Sequence, residues 1–278
     1  MPTALITGAS TGIGRATALR LARAGWTVLA GIRGEEAGAR LTAEAPEGRV
    51  EPLRLDVTDE QQIAAAREVV EAGGQGRLDA LVNNAGVGVG GPLELLTTDE
   101  LRGQFEVNVF GQVALTRELL PSLRRARGRI VFVSSIGGLV VMPFTAPYGA
   151  SKHAIEAIAD SLRIELASSH VQVALVEPGS VSTPIWDKSV AEAERLQIPP
   201  DLEPVYGEVV GKMNQVLEET AKRGIPPDAV AAVIERALGA RRMRARYLVG
   251  RDARVILTLR RLLPDHMFDR VLRRGMGL

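Results

Sequence analysis

Tyr148 and Lys152 stand four residues apart in the pentapeptide YGASK. On a helix that spacing puts both side chains on one face. A phenol with a pKa of about 10 is a poor acid–base group near neutrality. A lysine ammonium at ~4 Å, in an effective dielectric of ~20, favours the phenolate by roughly 4 kcal/mol, or about 3 pKa units. The pair would then exchange a proton with a carbonyl or alcohol oxygen in the neutral range. Ser135, thirteen residues before Tyr148, closes an apolar run and could hold the same oxygen. Its neighbour Ser134 should point the other way by strand alternation. Taken singly, the Tyr–Lys pair also reads as a surface helix contact and either serine as structural.

These side chains need a scaffold, and the hydrophobic pattern supplies one. Apolar runs of a strand's length fall at residues 3–7, 27–32, 50–55, 78–83, 129–134 and 171–177, with a late one at 247–249. Helical patterns occupy 14–24, 61–72, 99–123 and 148–168. Strands alternating with helices predict an α/β fold, a doubly wound Rossmann-type parallel sheet flanked by helices. Ser135 then sits at a strand's carboxyl end, where such sheets open their ligand crevice. The whole chain, 1–278, reads as a single domain. Residues 185–227 break the rhythm and read as a helical substrate lid, and 241–278 as a basic C-terminal extension.

The first strand runs into TGASTGIG, with glycines at Gly8, Gly12 and Gly14. Between a strand and a helix, such a turn lets backbone approach a pyrophosphate at the helix N-terminus. Gly8, Ser10, Thr11, Gly12, Ile13 and Gly14 are the candidate contacts. In dinucleotide folds an acid ending the second strand holds the ribose, while an arginine accommodates a 2′-phosphate. Here Ile32 occupies the acidic position and Arg33 follows. A guanidinium forks onto a phosphate that a carboxylate would repel. The expectation is NADP(H) in preference to NAD(H). The alternative has Arg33 solvated and Glu35 or Glu36 reaching the ribose. Asp56, after the third strand, could accept from an adenine amino group or cap its own turn.

Composition removes other chemistries. The absence of Cys excludes disulfides, thiolate metal sites and cysteine nucleophiles. Three His without close spacing leave no histidine metal site to expect. Nothing points to a nucleic-acid partner. Residues 130–147 carry no charge, but Ser134, Ser135, Gly137, Gly138, Pro143 and Pro147 interrupt them, against a membrane span. The opening MPTALITGAS lacks a basic lead-in, so the cytoplasm is the expected compartment. A net charge of +1 hides an asymmetry: residues 241–278 hold eleven Arg against three Asp.

Gly8 to Gly14, Asn83-Asn84-Ala85-Gly86, Asn108, Ser135, Tyr148 and Lys152 fall in one order that resembles the classical short-chain dehydrogenase/reductase family. The resemblance covers residues 3–183. VNVFG, SSIGGLVVMPF and YGASK are similar to the branch containing 17β-hydroxysteroid and retinol dehydrogenases, and RYLVGRDAR with LLPD resembles its C-terminus more loosely. The resemblance implies hydride transfer between a nicotinamide and an alcohol or carbonyl. Tyr148 would be the acid in reduction and the base in oxidation. Lys152 would bind the nicotinamide ribose and lower the tyrosine pKa, and Ser135 would orient the substrate oxygen. Asn108 would hold a relay water. Val57 and the run Asn83, Asn84, Ala85 and Gly86 would line the cofactor, that run also bracing the fourth strand, with Pro178, Gly179, Val181 and Thr183 at its nicotinamide end; taken singly, Asn83 and Asn108 also read as buried hydrogen bonders. Homodimers or homotetramers through the helices at 99–123 and 148–168 are implied as well. A non-catalytic NADP(H)-binding protein, or an epimerase or dehydratase on the same fold, would have less use for the full quartet.

Val141, Met142, Phe144 and Trp186 are candidate walls of the substrate pocket beside Ser135 and Tyr148. All four are apolar, so the expected substrate is a hydrophobic alcohol, ketone or aldehyde, with steroid-like, retinoid-like and fatty examples in range. In the tail, Val255, Ile256, Leu259, Leu262 and Leu263 form an apolar stripe among arginines. A helix of that kind packs on its own domain or makes weak peripheral contact with a membrane surface.

Overall fold

Alternation along β1 (Thr3–Thr7) sends Ala4 and Ile6 to one side of a sheet and Leu5 to the other. The same division repeats in β2 (Thr27–Ile32), β4 (Ala80–Asn83), β5 (Arg129–Val133) and β6 (Gln172–Pro178). Each strand is therefore apolar on both faces, as a parallel sheet between two helical layers requires. With β3 (Val50–Arg54) and β7 (Arg246–Val249) the sheet has seven strands in the order β3-β2-β1-β4-β5-β6-β7, every pair parallel. This computed structural model describes residues 1–185, 198–208, 210–212 and 223–276.

One face is covered by α1 (Gly12–Arg23) and α2 (Glu35–Glu44), and by α7 (Pro227–Gly239), whose Val230 and Ile234 are fully buried. The other is covered by α3 (Glu60–Ala72), α5 (Gln112–Ala126) and α6 (Ala146–Glu165). Phe132, fully buried at the centre of that layer, should cost about 3–5 kcal/mol if cut to alanine. Asp59 starts α3 by accepting from the backbone N–H of Gln61 and Gln62 at 2.9 and 3.1 Å. The chain order reverses between β1 and β4, so the crevice at their carboxyl ends is the expected ligand site.

The long helix expected over 99–123 proves to be three pieces: α4 (Thr98–Phe105), a π-helical turn (Glu106–Gly111) and α5. Thr97 and Glu100 close a reciprocal cap at its start. The wider π turn carries the buried Asn108, and such turns concentrate at functional sites. Two helices, α2 and α7, had no counterpart in the pattern reading. The basic extension folds as α8 (Arg251–Leu262) and α9 (Asp265–Met276). Its stripe divides: Ile256, Leu259 and Leu263 pack with Val140, Phe268 and Leu272, whereas Val255 (59%) and Leu262 (74%) face solvent. Much of the expected lid lies outside the described residues. Among those described, no helix is long and apolar enough to cross a membrane, and no acidic or histidine cluster could hold a metal ion.

Candidate active site

A cleft of about 560 Å³ opens along the carboxyl ends of the strands, from Arg33 and Asp56 at one end to Ser135, Tyr148 and Lys152 at the other. Its floor is shaped by the turn after β1. Gly8 (φ 65°) and Gly12 (φ 54°) adopt left-handed backbone that other residues rarely accept. Gly12 and Ile13 line the cleft at the start of α1. Thr11, the N-cap, places no side chain on the first-turn N–H groups, which leaves that end suited to an anion. A Cβ on Gly12 would lie 3.1 Å from Thr183, so that turn and Thr183 face each other closely.

At the far end Ile32 is buried, and its side chain fills the space where a Cβ on Gly38 would sit. Arg33 is open to solvent and lies 3.9 Å from Asp56. Asp56 also accepts from the N–H and hydroxyl of Thr58 at 3.0 and 2.7 Å, so it is a turn cap as well as part of the wall. Neither Glu35 nor Glu36 is part of the wall; Glu36 pairs with Arg40 along α2 at 3.7 Å.

At the other end Lys152 is buried (4%) and donates to the carbonyl of Val133 at 2.9 Å. Its Nζ lies 5.7 Å from the centre of the Tyr148 ring. The Ser135 hydroxyl accepts from the N–H of Gly137 at 3.0 Å, and a Cβ on Gly137 would lie 3.2 Å from the Tyr148 ring and 3.5 Å from Ser135 Oγ, so both side chains flank one point. Asn108 accepts from the N–H of Val87 at 2.9 Å and donates to Ser151 Oγ at 3.1 Å. A Cβ on Gly86 would be 3.4 Å from Asn108 Oδ1 and 3.8 Å from Lys152 Nζ, so the two polar groups flank one small space.

The electrostatics correct one expectation. Tyr148 is half-buried in area, yet desolvation pushes its hydroxyl above the ordinary value, with Ser135 pulling weakly the other way. The ammonium sits against a carbonyl and the ring and is itself weakened: burial lowers Lys152 to about 8, with Glu156 acting against that shift. Without ligand the phenol is thus a neutral proton donor, and the lysine is the group that titrates near neutrality.

Most sequence-predicted residues converge on the cleft: Gly8, Ser10, Thr11, Gly12, Ile13, Arg33, Asp56, Val57, Ala85, Gly86, Pro178, Gly179, Val181 and Thr183, with Ser135, Met142, Phe144, Tyr148 and Lys152. Four do not line it, among them Asn108, which is fully buried and reaches only the space beside Gly86. Asn83 is fully buried and donates to Thr116 of α5 at 2.8 Å, because alternation along β4 turns it from the crevice. Its neighbour Asn84 does line the cleft and bonds the carbonyls of Thr7 and Gly8 at 2.8 and 3.2 Å. Gly14 serves close packing instead: a Cβ there would fall 2.3 Å from Gly8 O. Val141 is exposed and packs on Gly149, and Val140 takes its place in the wall. Trp186 lies outside the described residues. Sequence reading missed Asp252, Ala253, Ile256 and Met276, which bring α8 and α9 to the cleft. Ile256 was signalled by the apolar stripe of the tail, and Asp252 and Ala253 only by the motif RYLVGRDAR.

Residues 2–194 match the family model described as short chain dehydrogenase. The chain is 35% identical over 274 residues to an NADPH-dependent 3-dehydrocapnine reductase of Ornithobacterium rhinotracheale, covering 96% of this chain and 95% of that one. It is 37% identical over 272 residues to human 17-beta-hydroxysteroid dehydrogenase type 1, covering 94% and 80%. Among solved structures, a short chain dehydrogenase/reductase of Burkholderia phymatum in complex with NAD superposes with a TM-score of 0.79 at 28% identity, covering 94% and 92%. Fold, cleft and relatives agree: the chain belongs to the short-chain dehydrogenase family of oxidoreductases, enzymes acting on alcohol and keto groups.

Proposed function

We propose that this oxidoreductase uses NADP(H) to interconvert a hydrophobic ketone and its secondary alcohol, with Tyr148 as the proton donor in reduction. One observation carries the reading: a neutral phenol, a serine hydroxyl and a buried lysine meet at the carboxyl end of β5, inside a cleft that continues to Arg33. The glycine turn and the uncapped start of α1 would hold a pyrophosphate, and Arg33 a 2′-phosphate. NADP(H), when bound, supplies or accepts the hydride.

The chain's own residues do the rest. Ser135 would hold the carbonyl oxygen beside Tyr148. Tyr148 would pass its proton to that oxygen as negative charge develops there, and in oxidation would take it back. Lys152, fixed by Val133 O, would restore the phenol's proton and hold the nicotinamide ribose. Asn108, across the space beside Gly86, would connect Lys152 to water. Hydrophobic specificity follows from the walls, to which Val140, Met142, Phe144, Ile256 and Met276 contribute apolar side chains. The hydroxysteroid in the name of the human relative fits that class, and the NADPH in the name of the Ornithobacterium reductase fits the cofactor. A panel of ketones assayed by loss of reduced-nicotinamide absorbance tests the reading: apolar ketones should be consumed with NADPH faster than with NADH. Consumption with NADH alone would overturn the cofactor assignment, and no consumption of any ketone the reaction.

Two further assignments rest on exposed apolar residues. Phe110 and Ile164, both exposed, lie on the helical layer proposed to join copies into a dimer or tetramer. Val255 and Leu262 lie among Arg251, Arg254 and Arg261 and suit weak contact with an anionic bilayer. Flotation with anionic liposomes should recover a minor bound fraction that Leu262→Glu abolishes; full recovery of wild type in the soluble fraction would count against that contact.

A further inference from the structure

Beneath the proton-transfer groups lies a second charged cluster with no part in the reaction derived above. Glu156 follows Lys152 by one turn of α6, and Glu177 ends the apolar part of β6 just before Pro178 and Gly179. Both are buried, at 6% and 2% exposure, and each places a carboxylate oxygen 3.1 Å from the same nitrogen, Arg246 Nε. A single cation, Arg246 of β7, faces both. Its Nε–H donates to Glu156 Oε2 at 3.1 Å, while Nη1 and Nη2 bind Asp160 at 3.1 and 2.6 Å.

The donors do not suffice for the acceptors. Arginine Nε carries one hydrogen, and Glu156 takes it. Glu177 Oε1, also 3.1 Å from Nε, receives no hydrogen bond, and neither does Glu156 Oε1. Two buried carboxylates that crowd one nitrogen with an orphaned oxygen each are costly, and one proton between them removes both the repulsion and the missing donor. The groups facing the pair are few among the described residues. From α6 come Lys152 and Asp160, the latter bonded also to Arg163, and from β7 comes Arg246. The end of β5 contributes the Ser134 hydroxyl beside Glu156, itself buried and making no hydrogen bond.

We infer that Glu156 and Glu177 form a proton-sharing positioning pair that keeps Lys152 charged and ties the Ser135 loop, α6 and the Pro178–Gly179 segment together. Neither is a catalytic residue; Glu156 acts through Lys152, and Glu177 through Glu156. The geometry supports the tie: a Cβ on Gly138, in the loop after Ser135, would lie 2.7 Å from Ser134 Oγ and 3.0 Å from Glu156 Cγ. The charge of Glu156 raises Lys152 against the desolvation that lowers it. Burial and the neighbouring Glu156 push Glu177 up to about 7, so the pair passes from one proton to none across the physiological range. This rests on the proposed role of Lys152 in the reaction, but its tests need no substrate.

The chain has four lysines, so the Lys152 side-chain resonance can be assigned in labelled protein with a Lys152→Met control and titrated. In wild type its midpoint should fall at about 8. In Glu156→Gln, with the anion gone, it should fall by about one pH unit, a tenfold loss of proton affinity, and Glu156→Asp should restore most of it. A midpoint unchanged in Glu156→Gln would overturn the coupling to Lys152.

Glu177→Gln gives a second readout should the first variant not fold. A free glutamate ionises near about 4.3. Folded Glu177 ionises higher, so between those values the native state holds an extra proton and stability declines as pH rises. Wild-type melting temperature should therefore drop across pH 5 to 8, and Glu177→Gln should flatten that decline. An equally steep decline in the variant would overturn the shared proton. Failure of the reaction itself would show in Tyr148→Phe turnover and would leave both titrations intact.

Discussion

The two ends of the cleft use charge in opposite ways. At the nucleotide end Arg33 is 68% exposed and lies 3.9 Å from a carboxylate, so its field is screened by water and salt. At the reacting end Lys152, Glu156 and Glu177 are buried under the loop after β5, and their protonation is set by desolvation and by one another. An exposed cation keeps its charge at any working pH and suits the recognition of a fixed anion. A buried one can lose its charge within the working range and suits proton traffic. On the proposed roles, placement, more than residue type, separates recognition from chemistry.

Substitutions at the two ends should therefore fail differently. The largest effect belongs to Tyr148→Phe, which removes the donor and leaves the ring. It should lower kcat by ~10³-fold or more while the affinity for NADPH, measured by fluorescence titration, stays near wild type. Loss of NADPH binding would move Tyr148 from chemistry to structure. Lys152→Met should come next, lowering kcat by ~10²-fold. Burial of the ammonium opposes folding, since its value is depressed to about 8. The unfolded lysine binds its proton more tightly, so that penalty is full below pH 8 and fades as pH rises towards the unfolded value. At neutral pH the melting temperature of Lys152→Met should thus equal or exceed wild type. In the native enzyme, reduction should lose rate on an alkaline limb near pH 8 as Lys152 deprotonates. Smallest is Arg33→Ala, expected to raise KM for NADPH about tenfold at low salt and less at high salt, with NADH unaffected. Equal effects on both cofactors would remove the 2′-phosphate from the account.

The same contrast explains what could be read from sequence. The nucleotide end is built from local signals: a glycine turn after a strand, an apolar residue where an acid is expected, and an Asp at a strand end. Ser135, Tyr148 and Lys152 were equally legible, because strand ends and helical spacing fix where such side chains go. Of the run Asn83 to Gly86, the last three line the cleft while Asn83 braces β4 against α5, the buried hydrogen-bonding role its residue type also allowed. Val141 was misplaced, in a loop without periodicity, where Phe144 adopts a left-handed φ of 63°. Asp252 and Ile256 reach the cleft only because α8 folds back over the loop after β5, a long-range contact that no local pattern records. The direction of the Tyr148 shift was inverted for a related reason. Spacing brought Lys152 alongside, but the depth of burial and the bond to Val133 O depend on the assembled sheet.

The account turns on a phenol that stays protonated until a carbonyl oxygen takes its proton. Three tyrosines make this measurable by an absorbance titration of wild type minus Tyr148→Phe, without ligands. The difference should show no phenolate through the neutral range, with ionisation only above the ordinary tyrosine value. A phenolate signal from Tyr148 near neutral pH would contradict the assignment of the neutral side chain as the donor.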